Sequence, residues 1–219
     1  MTMINAPKYY IKKTEKVSRI EDDSTIGVMG QWDNPTKERI SRKLLRSVEL
    51  VAEEALQIPF PNILDIGCFT GYTYDWLVKY IQGDFKYLGI DIDAEAIEIA
   101  TKTHNAKPIY RTHDLYGINC PFADIAICSR VLIHVPDFRK ALEKILTAAP
   151  VAVISLSFSD RWQIIKKTVG MQDQSPDGVY YHRYVTTANL EKMFNELGIV
   201  CSKIPNTTKG THSMVIRNG

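Results

Sequence analysis

No apolar run in this chain approaches the roughly 20 residues that a membrane-spanning helix needs. The opening stretch "MTMINAPKYYIKKTEK" has no apolar core of the kind a secretory leader carries. Both absences lead us to expect a cytoplasmic protein with no membrane partner. Paired cysteines are also missing. Cys68, Cys120, Cys128 and Cys201 stand apart with no CxxC spacing, which argues against a zinc site or a disulfide framework and fits a reducing compartment. Neither sign of charge is in excess. The 27 Lys and Arg against 25 Asp and Glu leave a formal net charge of +2, too little to argue for nucleic acid or an anionic membrane. There is no internal repeat and no low-complexity tract. The chain has 219 residues, 45% of them hydrophobic, enough to bury a substantial core as one domain.

Residues 1–34 are polar and lack periodicity, with Tyr9, Tyr10 and Trp32 among them. They read as a loose tail or as a flap over a site. Residues 35–219 read as the folded domain. "PTKERISRKLLRSVELVAEEALQ" places Ile40, Leu44, Val48, Val51 and Ala55 on one helical stripe. Strands and helices then alternate. "NILDIG", "FKYLGID", "KPIYR", "FADIAICS" and "VAVISLSF" are the strands; "YTYDWLVKYIQ", "DAEAIEIATKTH" and "DFRKALEKILTAA" are the helices between them. Near-continuous apolar strands separated by amphipathic helices predict an α/β fold with a mostly parallel sheet covered on both faces. Residues 159–185 break this rhythm with Gly, Pro and aromatics and read as an insertion. A last helix, "TANLEKMFNEL", leads into a closing hairpin formed by "IVCSKIP" and "THSMVIR".

In open parallel sheets, ligands bind beyond the carboxyl ends of the strands. Three acids fall there: Asp65, Asp91 and Asp114. One such Asp commonly does no more than cap the next helix; three beside a glycine turn are harder to explain that way. The turn is "DIGCFTG". Gly67 and Gly71 let the backbone bend sharply and approach a ligand, and the helix that follows aims N–H groups at it. The spacing is GxxxG, whereas the dinucleotide fingerprint is GxGxxG. Asp65 would also repel a pyrophosphate, which disfavours a nicotinamide dinucleotide and favours a cationic or zwitterionic ligand.

"LDIGCFTG", "YLGIDID", "THDL" and "ADIAICSRVLIHVPD", in that order, resemble the class I S-adenosylmethionine-dependent methyltransferases. The resemblance runs from about residue 60 to the end. It implies a doubly wound, Rossmann-like, seven-stranded sheet with a reversed last strand, and S-adenosylmethionine as cofactor. It implies that the turn from Asp65 through Gly67, Cys68 and Phe69 to Gly71 surrounds the methionine part, with Asp65 suited to its ammonium group. It assigns Asp91 to the ribose hydroxyls, Ile92 to packing on the adenine, and Asp114 with the Leu115 N–H to its edge. Ser129 and Arg130 would lie beneath the sulfonium, and His134 would face the substrate or support its loop. Phe69 departs from the Gly commonest at its position. Cys68 reads most simply as a small packing residue.

Methyl transfer needs a base only when the acceptor is protonated and poorly nucleophilic. His134 and His182 are the candidates. Each has a plain alternative, a packed or capping histidine for the first and a solvated loop histidine for the second. In "VYYHRYVT", Tyr181, His182 and Arg183 are candidate acceptor-wall residues, Arg183 for an anionic group. Trp32 is a candidate for the opposite side. The alternative is that these aromatics only pack the insertion on the core. The chain lacks the Asn/Asp-Pro-Pro-aromatic box of base methylation and the acidic set of the metal-dependent catechol type. A small-molecule acceptor methylated on O or N is therefore favoured. The rivals are a macromolecular acceptor, such as tRNA or protein, and a non-catalytic partner subunit.

Overall fold

The computed structural model describes residues 42–104, 108–119, 123–168, 179–207 and 209–219. The expected tail or flap, and Trp32 within it, lie outside the described residues. Helix α1, Arg42–Ala55, precedes strand β1, Asn62–Ile66. Then come α2, Tyr72–Tyr80, β2, Lys86–Asp91, α3, Ala94–His104, and β3, Ile109–Thr112. A 3-10 turn, Leu115–Gly117, leads to β4, Ile125–Cys128, α4, Phe138–Ala148, and β5, Val151–Phe158. Two further strands follow, β6, Gln163–Thr168, and β7, Val179–Tyr184. The chain closes with α5, Thr187–Leu197, β8, Ile199–Cys201, and β9, Gly210–Asn218.

The main sheet has seven strands in the order β3-β2-β1-β4-β5-β9-β8. β3, β2, β1, β4 and β5 pair in parallel. β9 runs antiparallel to both of its neighbours, β5 and β8. Alternation along each strand divides the core. Leu64 and Ile66 of β1, Ala152, Ile154 and Leu156 of β5, and Ile216 of β9 pack with α4 and α5 on one face. Ile63, Val153 and Val215 pack with Val48 and Val51 of α1 and Leu77 of α2 on the other. Both faces are therefore dry, which is why the strands lack polar alternation in the sequence.

The helix ends follow local chemistry. Asp93 Oδ1 accepts from the Glu95 and Ala96 N–H groups at 2.9 and 3.2 Å, the cap that opens α3. Asp137 accepts from the Lys140 N–H at 3.0 Å and opens α4. Thr186 caps α5 at its start, and Gly198, at φ 65°, closes it.

The insertion at 159–185 holds more order than its sequence predicts. β6 and β7 form a two-stranded antiparallel ribbon, and residues 169–178 between them lie outside the described residues. The ribbon is anchored at the carboxyl end of the sheet. Val185 donates its N–H to Ser157 O at 2.9 Å, Ser159 donates to Val185 O at 3.0 Å, and Arg183 donates its backbone N–H to Ile133 O at 2.8 Å.

Candidate functional site

The turn after β1 is built on left-handed backbone. Gly67, Phe69 and Gly71 have φ of 75°, 49° and 87°. This conformation suits glycine and costs an L-residue roughly 1–2 kcal/mol, so Phe69 stands where glycine would be unstrained. The close approach that glycine permits is to the protein itself. A Cβ on Gly67 would lie 2.1 Å from Val131 Cγ2. One on Gly71 would lie 2.4 Å from the Tyr110 hydroxyl and 2.7 Å from His104 Cε1. The glycines thus let the turn nest between the β4–α4 loop and the α3–β3 corner.

Asp65 sits beneath this turn. The Tyr87 hydroxyl donates to its Oδ2 at 2.6 Å, Thr73 adds a side-chain hydrogen bond, and the residue is only 2% exposed. Burial raises its pKa from 3.8 to about 6, against the lowering effect of these two donors. In this structure Asp65 therefore braces the turn from inside. Cys68 is buried as expected for a packing residue, and burial pushes its thiol pKa far up.

Asp91, at the end of β2, ties the turn to the next one. Its Oδ2 accepts from the Phe69 N–H at 2.9 Å and its Oδ1 from the Asp93 N–H at 2.9 Å. Burial raises its pKa, and those amide donors work against the shift. Ile92 follows it, half-buried. Asp114 is exposed, and its Oδ1 accepts from the Tyr116 N–H at 2.9 Å. Leu115 beside it is buried.

Ser129 and Arg130, just after β4, rest on a hydroxyl cluster drawn from four elements. Ser129 Oγ lies 3.3 Å from Ser155 Oγ and 3.4 Å from Ser47 Oγ, and Ser47 Oγ lies 2.8 Å from Ser213 Oγ. Ser155 Oγ also accepts the Arg130 N–H at 2.7 Å, holding Arg130 at φ 65°. No sequence signal links serines spread from 47 to 213.

His134 and His182, far apart in sequence, come together. Their ring centroids are 5.7 Å apart at 83°, and His182 lies over Tyr184 at 4.7 Å. Val131 packs on Gly67, and the His134 N–H bonds to Val131 O at 2.8 Å, so the loop that carries His134 touches the glycine turn through Val131. Arg183 behaves differently from expectation. It is buried, its guanidinium donates to Val135 O and Pro136 O at 3.1 and 3.0 Å, and it lies 5.3 Å from the Phe138 ring. In a strand, residue 183 must face opposite to 182 and 184, so Arg183 clamps the loop on the face away from His182 and Tyr184. Tyr181 falls on β7 opposite Lys166 in register.

Two donors remain at the turn. Thr70 Oγ1 is buried with no hydrogen-bond partner among the described residues, and Gly71 opens α2 without a side-chain cap. An uncapped helix start and a hydroxyl suit a carboxylate; Asp91 suits a diol. That donor set fits an amino-acid nucleoside such as S-adenosylmethionine.

Comparisons with known proteins agree. The model of a family described as "Methyltransferase domain" matches residues 36–202. No curated protein matches the chain by sequence at a significant level. Among solved structures, the chain is similar to magnesium protoporphyrin IX methyltransferase from Synechocystis with S-adenosylhomocysteine bound, at 14% identity and TM-score 0.55, over 80% of this chain and 83% of that one. It is similar to 1,6-didemethyltoxoflavin-N1-methyltransferase from Burkholderia thailandensis, at 15% identity and TM-score 0.59, over 81% and 79%. It is also similar to an S-adenosylmethionine-dependent methyltransferase from Clostridium acetobutylicum, at 12% identity and TM-score 0.58, over 84% and 94%. With the family model spanning most of its length and the glycine turn, Asp91 and the sheet in place, the chain belongs to the class I S-adenosylmethionine-dependent methyltransferases.

Proposed function

We propose that this protein transfers a methyl group from S-adenosylmethionine to an oxygen or nitrogen of a small-molecule acceptor. The observation that carries the reading is the convergence of His134, on the loop that touches the glycine turn through Val131, with His182 of β7. Two similar structures, by their names, act on magnesium protoporphyrin IX and on 1,6-didemethyltoxoflavin, which supports a small acceptor.

Asp91 holds the ribose hydroxyls. Its carboxylate has about four lone-pair sites, and two go to the Phe69 and Asp93 amides. Ile92 and Leu115 flank the adenine, with Asp114 at its edge. Thr70 and the start of α2 take the methionine carboxylate, while Asp65 keeps the turn in shape. Bound there, the cofactor supplies a methyl group on a sulfonium that is already an activated leaving group. Ser129 and Arg130 form the floor. His134 or His182 removes the proton from a hydroxyl or amine acceptor. The β6–β7 ribbon, with Tyr184, walls the acceptor from water. Orientation of acceptor and methyl donor supplies roughly 7–11 kcal/mol of the lowered barrier.

Incubation with S-adenosylmethionine and a panel of hydroxylated and aminated metabolites, read by mass spectrometry, tests this. A methylated product is expected, and His134→Ala should slow its formation about 100-fold or more while S-adenosylhomocysteine still binds. Equal loss of turnover and binding, with a lowered Tm, would mark His134 as structural.

A further inference from the structure

We infer that Tyr116 is a positioning residue that couples the adenine side of the cofactor cleft to the loop carrying His134. This rests on the cofactor reading above. Tyr116 lies two residues after Asp114, inside the 3-10 turn. Its backbone N–H bonds Asp114 Oδ1 at 2.9 Å. The Gly117 N–H bonds Asp114 O at 2.9 Å and the Ile118 N–H bonds Leu115 O at 3.2 Å. Asp114 and the Tyr116 ring are therefore carried on one stiff turn.

The ring crosses to the β4–α4 loop. Its hydroxyl donates to Asp137 O at 2.9 Å and accepts from the Asp137 N–H at 3.0 Å. One phenol thus binds both backbone groups of a single residue, and it is further held by Lys140 Nζ, 5.5 Å from the ring centroid. Asp137 is three residues after His134. Between them, Arg183 of β7 binds the carbonyls of Val135 and Pro136. Carbonyls 135, 136 and 137 are therefore all gripped, two by the acceptor-side ribbon and one by the adenine-side turn.

Beneath these bonds, Leu115 and Ile118 share a core with Leu132, Val135 and Phe138, so the turn and the loop also touch through packed side chains. A shift of Asp114 on adenine binding is passed through Tyr116 to Asp137, and from there to the imidazole of His134. The clamp thereby sets His134 against His182 when the cofactor is in place.

A purely structural clamp would steady the loop whether or not cofactor is bound; coupling requires the effect to depend on ligand. The test is histidine-ring NMR on the full-length wild type, Tyr116→Phe and Asp137→Ala proteins with and without saturating S-adenosylhomocysteine. His134→Ala and His182→Ala spectra assign the signals. In the wild type, ligand is expected to shift the His134 signal or its titration midpoint. Tyr116→Phe removes only the hydroxyl and should cut that shift by about half or more at saturation. Asp137→Ala removes the helix cap to Lys140 N–H but not the backbone groups that Tyr116 binds, and should leave the shift intact. A full shift in Tyr116→Phe overturns the proposal. So does its loss in Asp137→Ala, which would mean general loosening. So does a wild type that binds the ligand by calorimetry without a His134 shift; the cofactor reading would then stand. Failure of the wild type to bind would instead remove the cofactor reading, and the coupling with it.

Discussion

Phe69 holds a left-handed backbone, φ 49°, between two glycines that hold the same region. Glycine is favoured there for its backbone freedom, so Phe69→Gly should keep the turn. Phe69→Val, with a β-branched side chain in that region, should lower stability relative to Phe69→Gly by roughly 1–2 kcal/mol, measured by urea denaturation. Asp65 gives a pH signature. Burial first of all raises its pKa from 3.8 to about 6. Between those values the folded chain keeps a proton that the unfolded chain has lost. Stability therefore falls as pH rises through that window, by up to about 3 kcal/mol at roughly 1.4 kcal/mol per pH unit. Asp65→Asn has no such group. Its stability relative to wild type should rise between pH 4 and pH 7, and a parallel pair of profiles would contradict the assignment. Asp91 serves the fold, and on the proposed reading it serves the ligand too. Because it accepts the Phe69 and Asp93 amides, Asp91→Ala should cost roughly 1–3 kcal/mol of stability. It should also weaken S-adenosylhomocysteine binding about tenfold or more, since a hydrogen bond to a charged group is worth at least ~1.4 kcal/mol. Melting curves and calorimetry separate the two effects.

At the scale of elements, the proposed acceptor wall is the β6–β7 ribbon. Arg183→Met would keep the long apolar stem and lose the donors to Val135 O and Pro136 O. Because those bonds set the His134 loop and not the ribose end, turnover should fall about tenfold or more while the Kd for S-adenosylhomocysteine changes less than about threefold. A matched fall in both would place Arg183 in overall stability alone. The ribbon was not legible in sequence. "QIIKKT" lacks the period-two pattern of a strand, and the Gly and Pro that follow look like a loop. Once β7 is known, alternation alone places His182 and Tyr184 on one side and Arg183 on the other. The central parallel strands β1, β2, β4 and β5 were legible because each is a short, largely apolar run between amphipathic helical segments. The burial of Cys68 was legible as an effect of local chemistry, and the Asp93 cap and the Gly198 helix stop are effects of the same kind. The partners of Asp65, the serine cluster and the Tyr116 bridge join residues far apart in the chain, and no local spacing announces them.

At the scale of the molecule, two dry faces fix the sheet, and its carboxyl edge gathers everything chemical. The glycine turn, Asp91, Asp114, Ser129 and His134 stand there, at the ends of β1, β2, β3 and β4 or on the loops that follow them, and His182 reaches His134 from β7. No helix among the described residues is long and apolar enough to cross a membrane. The central claim is that this edge holds an amino-acid nucleoside and not a dinucleotide. Calorimetric titration of the purified protein with S-adenosylmethionine, S-adenosylhomocysteine and NAD tests it most directly. The account predicts binding of the first two with Kd on the order of micromolar, about 8 kcal/mol, and no heat from NAD. Absence of binding by both S-adenosyl compounds, or binding of NAD instead, would contradict it.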